Sequence, residues 1–140
     1  MGKTYLACAI AHRACPFGYN ARFFRLPRLL QELQIAKADG SYPNRLVSLS
    51  KIDLIIVDDW GLAPLQPGER RDLLEILDDR YQKKSMIVVA QMPMEHWHDW
   101  VGDPALADAI LDRLVHNAYR LNLNGESQRK KGGIQKEDLR

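Results

Sequence analysis

Four consecutive apolar residues, Leu54-Ile55-Ile56-Val57, run directly into the paired carboxylates Asp58 and Asp59. An apolar run this short, bounded by polar residues, predicts a strand over 52–57 that is buried on both faces, as in a parallel sheet. Ligands on such sheets bind outside the carboxyl ends of the strands, which is where the two acids fall. Two adjacent carboxylates there suit a nearby cation or an attacking water. The competing reading is a solvated turn that happens to begin Asp-Asp. A second run, Met86-Ile87-Val88-Val89-Ala90, repeats the pattern and ends in the polar Gln91.

The segments between these runs read as helices. Thr4 to about Cys15 is rich in helix formers, with Leu6, Ala9, Ile10 and Ala14 on one face. Pro16 to Asn20 stops it with turn residues. Arg22 to Leu26 is a short strand, and Pro27 suits the first turn of a helix that places Leu26, Leu29, Leu30 and Leu33 together. Asp39 to Asn44 reads as a loop. Glu69 to about Lys83 is an amphipathic helix whose core face is Leu73, Leu74, Leu77 and Tyr81. Met94 to Val101 is a short segment carrying Trp97 and Trp100. Asp103-Pro104 opens a further helix that buries Leu106, Ala107, Ile110, Leu111, Leu114 and Val115. Tyr119 to Leu123 alternates as a final strand. Strands alternating with helices predict an α/β layered fold with a mainly parallel sheet. The expected domain is 1–123, followed by a flexible basic tail over 124–140.

Met1-Gly2-Lys3-Thr4 ends in Gly-Lys-Thr, the tail of the phosphate-binding loop G-x-x-x-x-G-K-[ST]. In such a loop, backbone N–H groups and a helix N-terminus cradle phosphates, the lysine reaches the β- and γ-phosphates, and the hydroxyl binds Mg²⁺. Three residues match often by chance, and an arbitrary N-terminus is the bland alternative. The context favours the loop: Gly-Lys-Thr opens a helix, and a buried strand ending in acids follows. Together they read as the two halves of an ATP and Mg²⁺ site. Gly2, Lys3 and Thr4 would hold the nucleotide, with Thr4 and Asp58 on the metal. Asp59 would polarise the attacking water, one methylene shorter in reach than a glutamate. Gln91 could orient that water or contact the γ-phosphate, or simply cap its strand. Arg113 points off the apolar face of its helix and could reach a neighbouring subunit's phosphate, or pair with Asp112 or Asp108.

Other chemistry is less supported. His96-Trp97-His98 lacks a third ligand at metal spacing. Arg22, Arg25, Arg28, Lys37, Arg45 and Lys51 make the stretch from 21 to 51 basic, which suits either a DNA-tracking surface or an ordinary solvated face. Arg129-Lys130-Lys131 is equally open. The net charge of +2 argues nothing by itself. Cys8 and Cys15 lie roughly 10 Å apart along a helix, too far for a disulfide, and suit a reducing, cytoplasmic setting.

Gly-Lys-Thr-Tyr-Leu-Ala, Arg-Phe-Phe-Arg-Leu-Pro-Arg-Leu-Leu and Leu-Ile-Ile-Val-Asp-Asp-Trp-Gly-Leu resemble the IstB-like ATP-binding proteins. So do Met94-Glu95-His96-Trp97-His98, Asp108 to Leu114 and Gly125 to Lys130. That family comprises AAA+ helpers encoded by insertion sequences beside their transposase, related to DnaC-type helicase loaders. The resemblance implies a P-loop, AAA+-like three-layer fold and ATP-dependent assembly on target DNA as a homo-oligomer that stimulates the transposase. It carries Lys3, Thr4, Asp58, Gln91 and Arg113 onto the phosphate, Mg²⁺, sensor and inter-subunit finger positions, with Arg120 and Arg129 as alternatives for the finger.

The same resemblance implies a departure. Family members have a strand and a full glycine-rich loop before the residues with which this sequence begins. The expectation is therefore a reading frame truncated at its 5′ end or starting upstream. Three further readings stay open: a DnaC-like loader in replication, a remnant that acts only by protein or DNA contacts, and a P-loop kinase of small molecules.

Overall fold

The structure, a computed structural model, describes residues 2–115. The doubly apolar run is the middle strand of a three-stranded parallel sheet. This β2 (Leu54–Trp60) lies between β1 (Ala21–Arg25) and β3 (Ser85–Ala90). Its alternation divides the run between two cores. Leu54 and Ile56 pack with Ala7, Ala11 and Val89 beneath α1 (Gly2–Ala14). Ile55 and Val57 face a larger cluster supplied mainly by α2 (Leu26–Asp39), α4 (Pro67–Arg80), α5 (Trp97–Val101) and α6 (Pro104–Val115). The fold is thus an α/β sandwich of helix, parallel sheet and helices, as expected.

Several boundaries differ from the sequence reading. The central strand begins at Leu54 and runs through both acids to Trp60, because Asp58 stays in register with Arg25 of β1. The ladder to β3 slips between Val57 and Trp60, and Asp59 takes a left-handed φ of 61°. Aspartate tolerates that conformation better than most side chains. β3 was expected to be as buried as β2; instead only Val89 is fully buried, since β2 is its one strand neighbour among the described residues.

The face of α1 is also rotated from the expected one. Ala7 and Ala11 press on the sheet, while Ile10 is 43% exposed. The smallest side chains win this face because they let the helix axis approach the strands. Residues 42–50, read only as loop at their start, form α3 (Tyr42–Ser50), with Leu49 buried and Leu46 packed on the main core. In α4, Leu73 and Leu77 are buried as expected, and Ile76 joins them.

That helix also buries two charged residues. Asp72 accepts from Gln34 Nε2 (2.8 Å), Tyr42 Oη (2.7 Å) and Lys37 Nζ (2.8 Å), tying α2 and α3 to α4. Burial, then the bond to Asp72, pushes the Tyr42 phenol well above its ordinary value, so it stays a donor. Arg80 donates to the carbonyls of Leu49 (2.9 Å), Ile52 (2.6 Å), Asp53 (3.1 Å) and Ser85. It closes the amino ends of β2 and β3, and burial lowers its guanidinium to about 10, still charged at neutral pH. The expected strand at 119–123, the tail, and Arg120 and Arg129 lie outside the described residues.

Candidate functional site

The carboxyl ends of β2 and β3 meet the start of α1. Gly2 is the first residue of that helix, whose first turn holds no acid. Its leading N–H groups have no intrahelical acceptor, so the turn is suited to an anion. Lys3 Nζ donates to the carbonyl of Ala90 at 2.8 Å, the last residue of β3. Thr4 Oγ1 donates to Asp58 Oδ2 at 3.0 Å, and the other oxygen of Asp58 accepts the N–H of Asp59 at 2.8 Å. One cation, one hydroxyl and one carboxylate thus converge from segments far apart in sequence.

The donor set fits a hydrated Mg²⁺. Thr4 and Asp58 offer hard oxygens that already share a hydrogen bond, and Mg²⁺ commonly takes only one or two protein oxygens beside water and phosphate. Among the described residues, no group of three or more His, Cys, Asp or Glu could hold a metal by itself.

Asp59 is placed differently from Asp58. Its carboxylate lies 3.8 Å from Arg25 Nη1, on the side of a small cavity lined by Leu26, Pro27, Leu30 and Trp100. The hydrogen bonds of Lys3 and Thr4 go to Ala90 and Asp58 and not to Asp59. Arg25 was legible only as one member of a basic stretch; its position at the end of β1, paired in register with Asp58, makes it a neighbour of the acids. Behind Asp59, Trp60 is buried against Trp97 and Trp100, with ring centroids 5.4 Å and 5.1 Å away. Trp97 Nε1 donates to Met92 O (3.0 Å) and Trp100 Nε1 to Ala63 O (2.7 Å). The indoles therefore pin the loops that follow β3 and β2, framing the site.

Gln91 follows Ala90 directly and is exposed, one residue beyond the carbonyl that holds Lys3. Arg113 is not brought to this group. Its Nε donates to Asp78 at 2.6 Å, Nη1 lies 3.4 Å from Asp112, and the guanidinium sits 5.6 Å from the Tyr81 ring centroid. The bond to Asp78 raises its pKa further. Asp78 lies two residues before Arg80, at the amino ends of the strands and across the sheet from Lys3. Of the basic residues over 21–51, Lys37 and Arg45 are taken up by Asp72 and Glu32.

A helix opened by Gly-Lys-Thr, set against a parallel strand that carries Asp58 and Asp59 near its carboxyl end, is the arrangement of a P-loop, AAA+-like α/β fold. Solved structures agree at the level of fold. Over 80% of this chain and 68% of the other, the DnaC helicase loader superposes with a TM-score of 0.65 at 20% identity. AMPPCP-bound DnaA from Aquifex aeolicus superposes with a TM-score of 0.66 at 19% identity, covering 78% of this chain and 34% of that one. The chain belongs to the IstB-like ATP binding protein family, whose model matches residues 1–136.

The insertion-sequence ATP-binding protein y4pL of Sinorhizobium fredii is 49% identical over 93% of this chain and 53% of its own length. The ATP-binding protein of insertion sequence IS21 from Pseudomonas aeruginosa is 37% identical over 94% of this chain and 49% of its own. The chain thus spans about half the length of these relatives.

Proposed function

We propose that this chain supplies the nucleotide-binding core of an ATP-dependent helper for DNA transposition, acting in the cytoplasm as a homo-oligomer on target DNA beside a transposase. The observation that carries the nucleotide part is the convergence of Lys3, Thr4 and Asp58 at the carboxyl ends of β2 and β3. Lys3 exchanges the Ala90 carbonyl for phosphate oxygens, and the first turn of α1 donates its free N–H groups. Thr4 and Asp58 hold Mg²⁺, which when bound offsets phosphate charge. Asp59 accepts a proton from the attacking water, and Gln91 orients that water. Arg113 serves a neighbouring subunit after leaving Asp78.

The DNA and transposase parts draw on the relatives, which are insertion-sequence ATP-binding proteins. Mg-ATP titration of the 140-residue chain tests the core of this reading. Saturable binding that Lys3→Ala abolishes is the expected result. Equal binding by Lys3→Ala, or none by either, overturns it and leaves a protein that works by contacts alone. A second reading, a loader of a replicative helicase, draws on the likeness to the DnaC fold. A neighbouring transposase reading frame favours transposition, and a neighbouring replication gene favours the loader.

A further inference from the structure

The two outer strands of the sheet differ in how their open edges are guarded. β1 carries Arg22 and Arg25 within five residues. Charged side chains of this kind discourage a further strand from pairing. β3 reads Ser85-Met86-Ile87-Val88-Val89-Ala90 and has neither charge nor proline. The Ser85 N–H donates to the Asp53 carbonyl at 3.0 Å, so Ser85 faces β2. Backbone groups alternate sides along a strand, hence Ile87 and Val89 also face β2. Met86, Val88 and Ala90 then turn their N–H and C=O groups to the open edge. The Ala90 carbonyl is taken by Lys3 Nζ. Met86 and Val88 have no strand on that side among the described residues. An apolar edge left in this way is a template for another strand.

The path of the chain indicates which strand. The connections from β1 to β2, through α2 and α3, and from β2 to β3, through α4, step across the sheet in one direction. They place Leu29, Leu33, Leu73 and Leu77 in the main core, on one face of the sheet. α6 follows β3 and adds Ala107 and Ile110 to that same core. Crossovers between parallel strands keep one hand, so the chain leaving α6 is carried to the open edge of β3. α6 also ends where a parallel strand must start. Arg113, in its last turn, donates to Asp78 at 2.6 Å, near the amino ends of the strands. Beyond it, Tyr119-Arg120-Leu121-Asn122-Leu123 alternates apolar and polar residues, the pattern of a strand with one face covered. We propose that residues 119–123 pair in parallel directly with the open edge of β3. The pairing gives Met86 and Val88 their backbone partners. It also delivers the segment from residue 124 to the carboxyl ends of the strands, where Lys3, Thr4 and Asp58 lie.

Amide exchange and backbone NOE measurements by NMR on the isotopically labelled 140-residue chain test this. The Met86 and Val88 amides are expected to exchange about 100-fold or more slowly than in an unstructured peptide. NOE contacts are expected between 85–90 and 119–123, in parallel order. The double variant Leu121→Pro/Asn122→Pro removes a donor whichever of the two residues faces β3. It is expected to bring Met86 and Val88 to within about ten-fold of the unstructured rate while Ile55, Ile56 and Val57 stay protected.

Met86 and Val88 amides that exchange at the unstructured rate in the wild type overturn the proposal. So do NOE contacts from this edge to any other segment, or protection that the double proline variant leaves intact. Protection that falls on dilution assigns the edge to a second copy of the chain and overturns it as well. Should the double variant unfold β2 too, the wild-type NOE contacts decide by themselves.

Discussion

Lys3 places a positive charge at the positive end of α1, an arrangement that the Ala90 carbonyl offsets and a bound anion relieves. Thr4 and Asp58 were legible from motif chemistry alone, since Gly-Lys-Thr and a strand-ending acid each carry a local signature. The partner of Asp59 was not, because nothing in the spacing of 25 and 59 marks them as neighbours. If Asp59 is the general base, Asp59→Asn binds Mg-ATP normally and loses about 100-fold or more in phosphate release; normal turnover removes that role.

Arg80 was equally illegible, since its partners are backbone carbonyls, which have no sequence signature. Arg80→Ala removes a donor from the carbonyls of Leu49, Ile52, Asp53 and Ser85, of which Leu49 and Asp53 keep the N–H groups of Ile52 and Ser85. It is expected to destabilise the fold by about 3 kcal/mol or more, measured by urea unfolding. A loss within 1 kcal/mol would mean that water replaces the guanidinium.

At the scale of elements, periodicity located helices better than it oriented them. For α1, the larger apolar residues pointed to a face through Leu6 and Ile10, whereas the sheet took Ala7 and Ala11. Close approach over Leu54 and Ile56 decided this, and no count of apolar positions contains it. Ala7→Leu is therefore expected to overpack that contact and cost about 1–3 kcal/mol in thermal or urea melts. Tyr5→Ala, at a side chain 79% exposed, is expected to stay within about 0.5 kcal/mol. The missed helix α3 had a signal in Pro43 and in Tyr42, Leu46 and Leu49 at helical spacing, overshadowed by the turn residues before it. The loops after β2 and β3 owe their positions to Trp97 and Trp100, long-range contacts of a kind that composition does not reveal.

At the scale of the whole molecule, the sheet has two working ends about 20 Å apart along β2 at ~3.3 Å per residue. Lys3, Thr4, Asp58 and Gln91 occupy the carboxyl end. The amino end is closed by Arg80 and by Asp53, which accepts from Lys84 Nζ (2.8 Å) and the Asn20 N–H (3.0 Å), linking the segments that lead into all three strands. The bond from Lys84, then that from Asn20, holds the Asp53 carboxyl below its ordinary 3.8. The folded form therefore binds this proton less readily than the unfolded chain. Its contribution is complete above about pH 4 and is lost as the pH falls through the lower folded value. Acid titration of unfolding is expected to show this loss in the wild type and a flatter profile in Asp53→Asn; identical profiles would remove Asp53 from the account. Arg113 belongs to this same end through Asp78, away from Lys3 and Thr4.

The sequence by itself determined the α/β class, the central doubly buried strand, and the pairing of a Gly-Lys-Thr helix with strand-ending acids. Each rests on local periodicity or a contiguous motif, which chain neighbours alone can express. Only the tertiary structure decided which face of α1 is buried and that Asp72 and Arg80 lie inside. It also decided that Asp59 faces Arg25 and that Arg113 rests on Asp78. Those outcomes depend on which distant segments the sheet brings together, and a charge chooses its partner by distance in space.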